Sequence, residues 1–251
     1  MKMCIFADVH GNSIAWQSMY KREKDNVDAF YFLGDIFGYF HDQSTIIDDF
    51  IMDSRVHAIM GNHDDYYLRY FEKLTPAQLK SVDNIVDNVQ DVESDLVNRY
   101  GSSYRQRYSN AQKKYISGLP MYLILESDGK RIGFFHGGPG DYLEQRIYPD
   151  TEMTADAVID TYEELDYIFL GHTHYRMDRM KGQCRVINPG SLGQPRDGKG
   201  FSYGIFDTVT GEFEFKTVES EIDMLIKEAS ILDGDTAAYK YLTEKYKVGV
   251  N

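Results

Sequence analysis

The sequence predicts an α/β protein: a four-layer αββα sandwich of two mixed β-sheets flanked by helices, with a helical insertion. Three observations lead there. Short apolar runs alternate with helical stretches over residues 3–60, a pattern that gives crossover units and a largely parallel sheet. A polar stretch rich in Tyr, Asp, Gln and Asn follows from Asp65 to Ser117 and contains no strand runs. Beyond Pro120 the chain returns to strands and tight-turn signals, which supplies a second, hairpin-rich sheet.

The elements follow in order. Met3 to Ala7 is a short apolar strand, and Ser13 to Lys24 reads as a helix with Ile14, Met19 and Tyr20 among its apolar positions. Ala29 to Leu33 is a strand, Thr45 to Met52 a helix and Val56 to Met60 a third strand. The insertion holds two or three helices, one of them starting at Thr75 as N-cap with Pro76 in its first turn. Met121 to Glu126 and Arg131 to Phe135 flank the turn pair Asp128-Gly129. A helix over Thr154 to Leu165, the strand Tyr167 to Leu170 and a short strand Arg185 to Ile187 come next. Tyr203 to Phe206 and Glu212 to Thr217 form a late hairpin, and from Ser220 two helices are broken at Asp233-Gly234.

No repeat, low-complexity tract or linker interrupts the 251 residues, so they read as a single domain. That domain, 1–251, includes the insertion at about 65–118 and C-terminal helices at about 219–247. A composition of 42% hydrophobic and 27% charged residues excludes general disorder. The net charge of −13 disfavours nucleic acid and anionic membranes as partners. A phosphate handled by so acidic a chain needs a local positive source, and metal ions supply one. Cys4 and Cys184 match no zinc spacing or disulfide framework, which suits a reducing cytoplasm. The apolar run after Lys2 ends at Asp8 and His10, too early for an export signal, and no stretch is long enough to span a membrane. A cytoplasmic location is expected.

Five strands run into metal-capable residues. They end in Asp8-Val9-His10-Gly11-Asn12, Gly34-Asp35, Gly61-Asn62-His63-Asp64, His136-Gly137-Gly138 and Gly171-His172-Thr173-His174. Carboxyl ends of strands are where α/β sheets gather ligands. Most blocks alone read as an ordinary turn or helix cap, while His172-Thr173-His174 is more suggestive, since two imidazoles two residues apart can face one pocket from an irregular turn. Their joint occurrence is not ordinary, because five of the seven histidines occupy such ends. His57, inside a strand, reads as structural, and His41 as an extra polar contact rather than a ligand.

This series resembles the calcineurin-like metallophosphoesterase superfamily. The bacterial and archaeal sub-type also carries Asn188-Pro189-Gly190-Ser191 followed by Gln194-Pro195-Arg196-Asp197. The resemblance covers about Met1 to the C-terminal helices and is weakest over the insertion. It implies a phosphodiesterase or phosphatase acting through a metal-bridging hydroxide. One metal would take Asp8, His10, Asp35 and His174, the second Asp35, Asn62, His136 and His172. His63 would be the general acid, with Asp64 orienting its ring. Such a mixed set of carboxylate, imidazole and amide oxygen suits two divalent transition-metal ions, Mn²⁺ first, with Fe, Zn²⁺, Co²⁺ or Ni²⁺ as alternatives. One position departs from the family: many members read Gly-Asp-x-x-Asp, and here the second aspartate is replaced by Gly38.

Asn12 and Arg196 are candidate substrate contacts, each with a plain alternative as helix cap and surface ion pair. Tyr39, Phe40, Tyr66, Tyr67 and Tyr70 are candidates to stack a base, or else core and subunit-contact residues. The expected partner is a small phosphorylated substrate, nucleotides included, and a homo-oligomer stays open. Phosphoprotein phosphatase, dinucleoside polyphosphate hydrolase and a non-catalytic scaffold of the same fold are the competing readings.

Overall fold

The computed structural model describes residues 1–73, 89–151 and 164–246. The Thr75-Pro76 helix start and most of the Thr154–Leu165 helix lie outside the described residues. The described elements are two five-stranded mixed sheets and seven helices, the arrangement of a calcineurin-like sandwich. In the first sheet β1 (Lys2–Phe6), β2 (Ala29–Phe32) and β3 (Val56–Ala58) are parallel. β9 (Phe201–Asp207) and β10 (Phe213–Val218) extend it antiparallel beside β1. In the second sheet β5 (Lys130–Phe135), β6 (Tyr167–Leu170) and β8 (Cys184–Pro189) are parallel, and β4 (Tyr122–Ser127) and β7 (Arg176–Lys181) are its antiparallel edges.

Strands β2 and β6 are apolar throughout, and β1 after Lys2, because both of their faces are covered. Met3, Ile5, Tyr31 and Ile59 point between the sheets and meet Ile132, Phe134, Phe169 and Ile187. Tyr31 and Phe134 stack at 4.4 Å across this interface. The opposite face of the first sheet, with Cys4, Phe6, Phe30 and Phe32, packs on Trp16 of α1 (Ser13–Glu23) and Phe50 of α2 (Gln43–Met52). The two sheets are thereby clamped with their parallel carboxyl ends side by side.

Most elements lie where the pattern placed them. Helix α2 starts two residues earlier than expected, with Asp42 before it and the Thr45 hydroxyl bonded to the Asp42 carboxylate. Strand β7 has no counterpart in the sequence reading. Its Arg-Met-Asp-Arg-Met-Lys run buries only Met177, as suits a charged sheet edge. The insertion contributes α3 (Asn62–Tyr66), a π-helical turn (Tyr67–Phe71), α4 (Val89–Tyr100), a 3₁₀ turn (Ser102–Arg105) and α5 (Asn110–Ser117). Helices α6 (Asp223–Asp233) and α7 (Ala237–Tyr246) break at Gly234, as the sequence indicates.

Candidate metal centre

The carboxyl ends of β1, β2 and β3 from one sheet and of β5 and β6 from the other converge on a single buried cluster. The chain reaches it through strained turns. Of eight non-glycine residues with positive φ among the described residues, five are Asp8, His10, Asp35, His172 and His174. Such conformations cost of order 1–3 kcal/mol each and persist where surrounding structure enforces them. Here the enforcement comes from loop-to-loop bonds: Asp8 N–H to the Gly34 carbonyl at 3.0 Å, His10 N–H to Asp35 O at 3.0 Å, and His172 N–H to Asp8 Oδ1 at 3.1 Å. Gly61 is obligatory, since a Cβ there would sit 2.1 Å from Asp35 Oδ1.

Two groups of side chains share one carboxylate. Asp8, His10, Asp35 and His174 form the first, and Asp35, His136 and His172 the second. In the first, His10 Nδ1 donates to the Phe37 carbonyl at 2.6 Å and His174 Nδ1 donates to Gln194 O at 2.7 Å. A carbonyl can only accept, so both ring protons are committed outward. The two Nε2 atoms then face each other at 3.2 Å as bare lone pairs. Asp8 Oδ1 lies 3.5 Å from His174 Nε2, Asp35 Oδ2 lies 3.8 Å from His10 Nε2, and Asp8 Oδ2 is buried without a hydrogen-bond partner. A buried cluster made only of acceptors fits a cation.

The second group is built alike. His136 Nδ1 donates to Leu33 O at 2.7 Å, and its Nε2 meets Asn62 Oδ1 at 2.9 Å and Asp35 Oδ2 at 3.4 Å. His172 Nδ1 reaches the same Asn62 oxygen at 3.1 Å. Carboxylate, imidazole and amide oxygen in this mixture suit borderline transition metals rather than Ca²⁺.

A sequence profile of the calcineurin-like phosphoesterase superfamily domain matches residues 1–211. The chain belongs to the calcineurin-like phosphoesterase superfamily. An uncharacterized protein of Methanocaldococcus jannaschii is 26% identical over 242 residues, covering 88% of each chain. Among solved structures, a hypothetical protein of Pyrococcus horikoshii superposes with a TM-score of 0.75 at 20% identity, covering 96% of this chain and 97% of that one. A metallophosphoesterase of Sphaerobacter thermophilus gives 0.69 at 21% identity, covering 92% and 94%. At these identities the two structures show the fold. The superfamily binds divalent metals, and this member brings together His and Asp clusters able to hold them.

The electrostatics of this phosphoesterase-family centre bear on metal uptake. Burial, reinforced by the Asp35 charge, pushes the Asp8 carboxyl up to about 8. Burial alone would raise Asp35 too, but the imidazoles of His136, His63 and His10 hold it well below the usual carboxylate range. Burial disfavours a charged His136, yet Asp35 and Asp8 raise it to about 9. Burial lowers His10 and His172 to about 3. At pH 7 the metal-free centre therefore carries protons on Asp8 and His136, which a cation must displace. Metal affinity is expected to rise with pH up to about 9, where the His136 proton is lost, with Asp8 ceasing to contribute above about 8, and to fall at lower pH by roughly tenfold per unit for each proton displaced. Calorimetry of metal binding at pH 7 in buffers of different ionisation enthalpy should detect about two protons released.

The Asn188-Pro189-Gly190-Ser191 block braces the loops. Asn188 Nδ2 donates to Gly171 O at 2.6 Å, beside the two histidines, and Ser191 Oγ donates to Asp8 O at 2.8 Å. Leu192 N–H and Gly193 N–H donate to Ala7 O and Asp8 O at 3.0 and 2.9 Å.

Other expected residues find different places. His63 joins the cluster, its Nε2 3.9 Å from Asp35 Oδ2. Asp64 does not orient the His63 ring. Its carboxylate accepts backbone N–H bonds from Asp35, Ile36 and Gly61 at 2.8–3.0 Å, because a buried carboxylate needs donors and this turn supplies them. His63 Nδ1 instead pairs with the Tyr104 hydroxyl. Asn12 is fully buried and caps α1, its Oδ1 accepting from Ala15 N–H at 3.0 Å and from Ser220 Oγ at 3.1 Å, while its Nδ2 is buried without a hydrogen-bond partner. Arg196 reaches Tyr39 Oη and Gln194 Oε1, both at 3.4 Å, and Tyr39 packs edge-on against His10 at 5.0 Å.

Phe40 and Tyr67 belong to the core, whereas Tyr66 and Tyr70 line a cavity. His41 is buried at 2.9 Å from Asp233 and ties the Asp35 loop to the end of α6. His57 is exposed on β3 and stacks on Tyr31 at 5.0 Å. Arg146, which no motif marked, donates from Nε to His172 Nε2 at 3.2 Å. While it does so the ring proton resides on Nδ1. For His172 to offer Nδ1 to a cation, that proton moves to Nε2 and the exposed Arg146 turns away.

Proposed function

We propose that residues 1–251 form one metallophosphoesterase domain that hydrolyses phosphate esters, with Asp35 shared between two divalent transition-metal ions, Mn²⁺ foremost. The facing Nε2 lone pairs of His10 and His174, 3.2 Å apart above Asp8 and Asp35, are the observation that carries this reading. Asp8, His10, Asp35 and His174 hold one ion; Asp35, Asn62, His136 and His172 hold the other. When bound, a metal pair acidifies water and polarises phosphoryl oxygens, which offsets the repulsion of a chain of net charge −13. The protein's own part is to orient and to protonate. His63, beside Asp35, gives a proton to the departing oxygen, and the Arg196 guanidinium offers phosphate a planar fork near His10.

A small substrate with an aromatic part suits the site better than a phosphoprotein. Between the turn that follows His63 and the loop that follows His136 lies a cavity of about 530 Å³, lined in part by Tyr66, Tyr70, Tyr142, Met121, Leu143 and Glu144. Its volume is in the range of small-ligand pockets. The Tyr66 ring lies 5.6 Å from that of His63, so a base seated there would keep its phosphate at the ligand cluster.

Hydrolysis of p-nitrophenyl phosphate and bis(p-nitrophenyl) phosphate with added Mn²⁺ tests the proposal. Activity is expected, with loss on chelation and return on adding metal. A metal-replete protein inert toward monoesters, diesters and pyrophosphates would establish the scaffold reading instead.

A further inference from the structure

The geometry assigns Tyr104 as the residue that positions His63, in the place left open by Gly38. A side chain at position 38 has no room, because a Cβ there would lie 2.9 Å from His63 Nδ1 in a backbone with φ of +93°. The support for the ring comes instead from the insertion, through the Tyr104 hydroxyl on Nδ1. Tyr104 is itself firmly held. It is 1% exposed, and its ring stacks on Phe71 at 5.0 Å and Phe37 at 6.0 Å. Tyr100 closes the other side of His63 at 4.4 Å, edge to face.

Replacing a carboxylate by a hydroxyl changes what the imidazole presents. A carboxylate only accepts, so it keeps a proton on Nδ1, and a neutral ring then shows the site a lone pair. A hydroxyl also donates. Among the described residues Tyr104 Oη has no hydrogen-bond partner other than His63 Nδ1, and a buried O–H left without an acceptor is costly. Tyr104 therefore donates to Nδ1, and the ring proton resides on Nε2, the nitrogen that faces Asp35. The neutral imidazole is thus already a donor toward the leaving oxygen. Burial keeps the phenol itself protonated, well above its ordinary range.

This inference rests on His63 standing beside the leaving oxygen, and two readouts separate the claims. Nitrogen-15 spectra of the histidine rings in Zn²⁺-loaded protein, with His63 assigned by its absence in His63→Ala, should show His63 protonated on Nε2. In Tyr104→Phe, which keeps the stacked ring, that preference should be lost. For the same variant kcat on phenyl phosphate should fall about 10- to 100-fold with KM little changed, and distinctly less on p-nitrophenyl phosphate, whose leaving group needs less help. A proton found on Nδ1 in the wild type overturns the assignment. So does an equal loss on both esters, which marks a merely structural tyrosine. An Nε2 proton together with a His63→Ala variant of undiminished activity would overturn the acid role of His63 and leave the Tyr104 contact standing.

Discussion

Asp35→Asn is expected to lower kcat on phosphate esters by about 10³-fold or more and to leave the protein unable to retain its second metal ion. Asp35 is the one side chain common to both candidate ligand groups. Its Oδ2 lies within 3.4–3.9 Å of His136, His10 and His63, while Oδ1 accepts the His63 backbone N–H at 2.9 Å. An amide in this position keeps the size and loses the charge. Its NH₂ group could also turn a donor toward the His10 Nε2 lone pair, in place of an oxygen that a cation could bind. Metal content by elemental analysis and steady-state kinetics check this together. Full activity in Asp35→Asn would exclude a carboxylate bridge.

The second large effect belongs to His63. His63→Ala should cost about 10²- to 10⁴-fold in kcat on esters with poor leaving groups, and much less on p-nitrophenyl esters. Burial lowers this imidazole to about 4, so it stays neutral at pH 7 in the metal-free protein and donates as a neutral N–H. Metal stoichiometry should not change, because the ring carries no share of either candidate ligand group. A uniform loss across leaving groups, accompanied by loss of metal, would make His63 a structural neighbour of Asn62 instead.

Much of this was legible before any coordinates. The apolar strands announce themselves because parallel strands covered on both faces tolerate few polar residues, and a metal-capable block at each carboxyl end can be read off directly. What escaped the sequence has three physical origins. Strand β7 alternates charge with Met177, and an edge strand needs no more apolar character than that. Asp64 and Asn12 carry residue types that serve equally as ligands, orienters or caps, and only the positions of neighbouring N–H groups decide between these roles. Tyr104 and Arg146 touch His63 and His172 at sequence separations of 41 and 26, distances at which spacing holds no information. Gly38 was the one visible hint: a missing carboxylate beside a candidate acid calls for a substitute from elsewhere in the fold.

Anomalous diffraction from crystals grown with excess Mn²⁺ tests the two-ion centre most directly. It should show two peaks per chain, roughly 3.5–4 Å apart, with the Asp35 carboxylate between them and one Nε2 from each of His10, His174 and His136 pointing inward. A map without density there, while His10 and His174 keep their rings face to face, would contradict it.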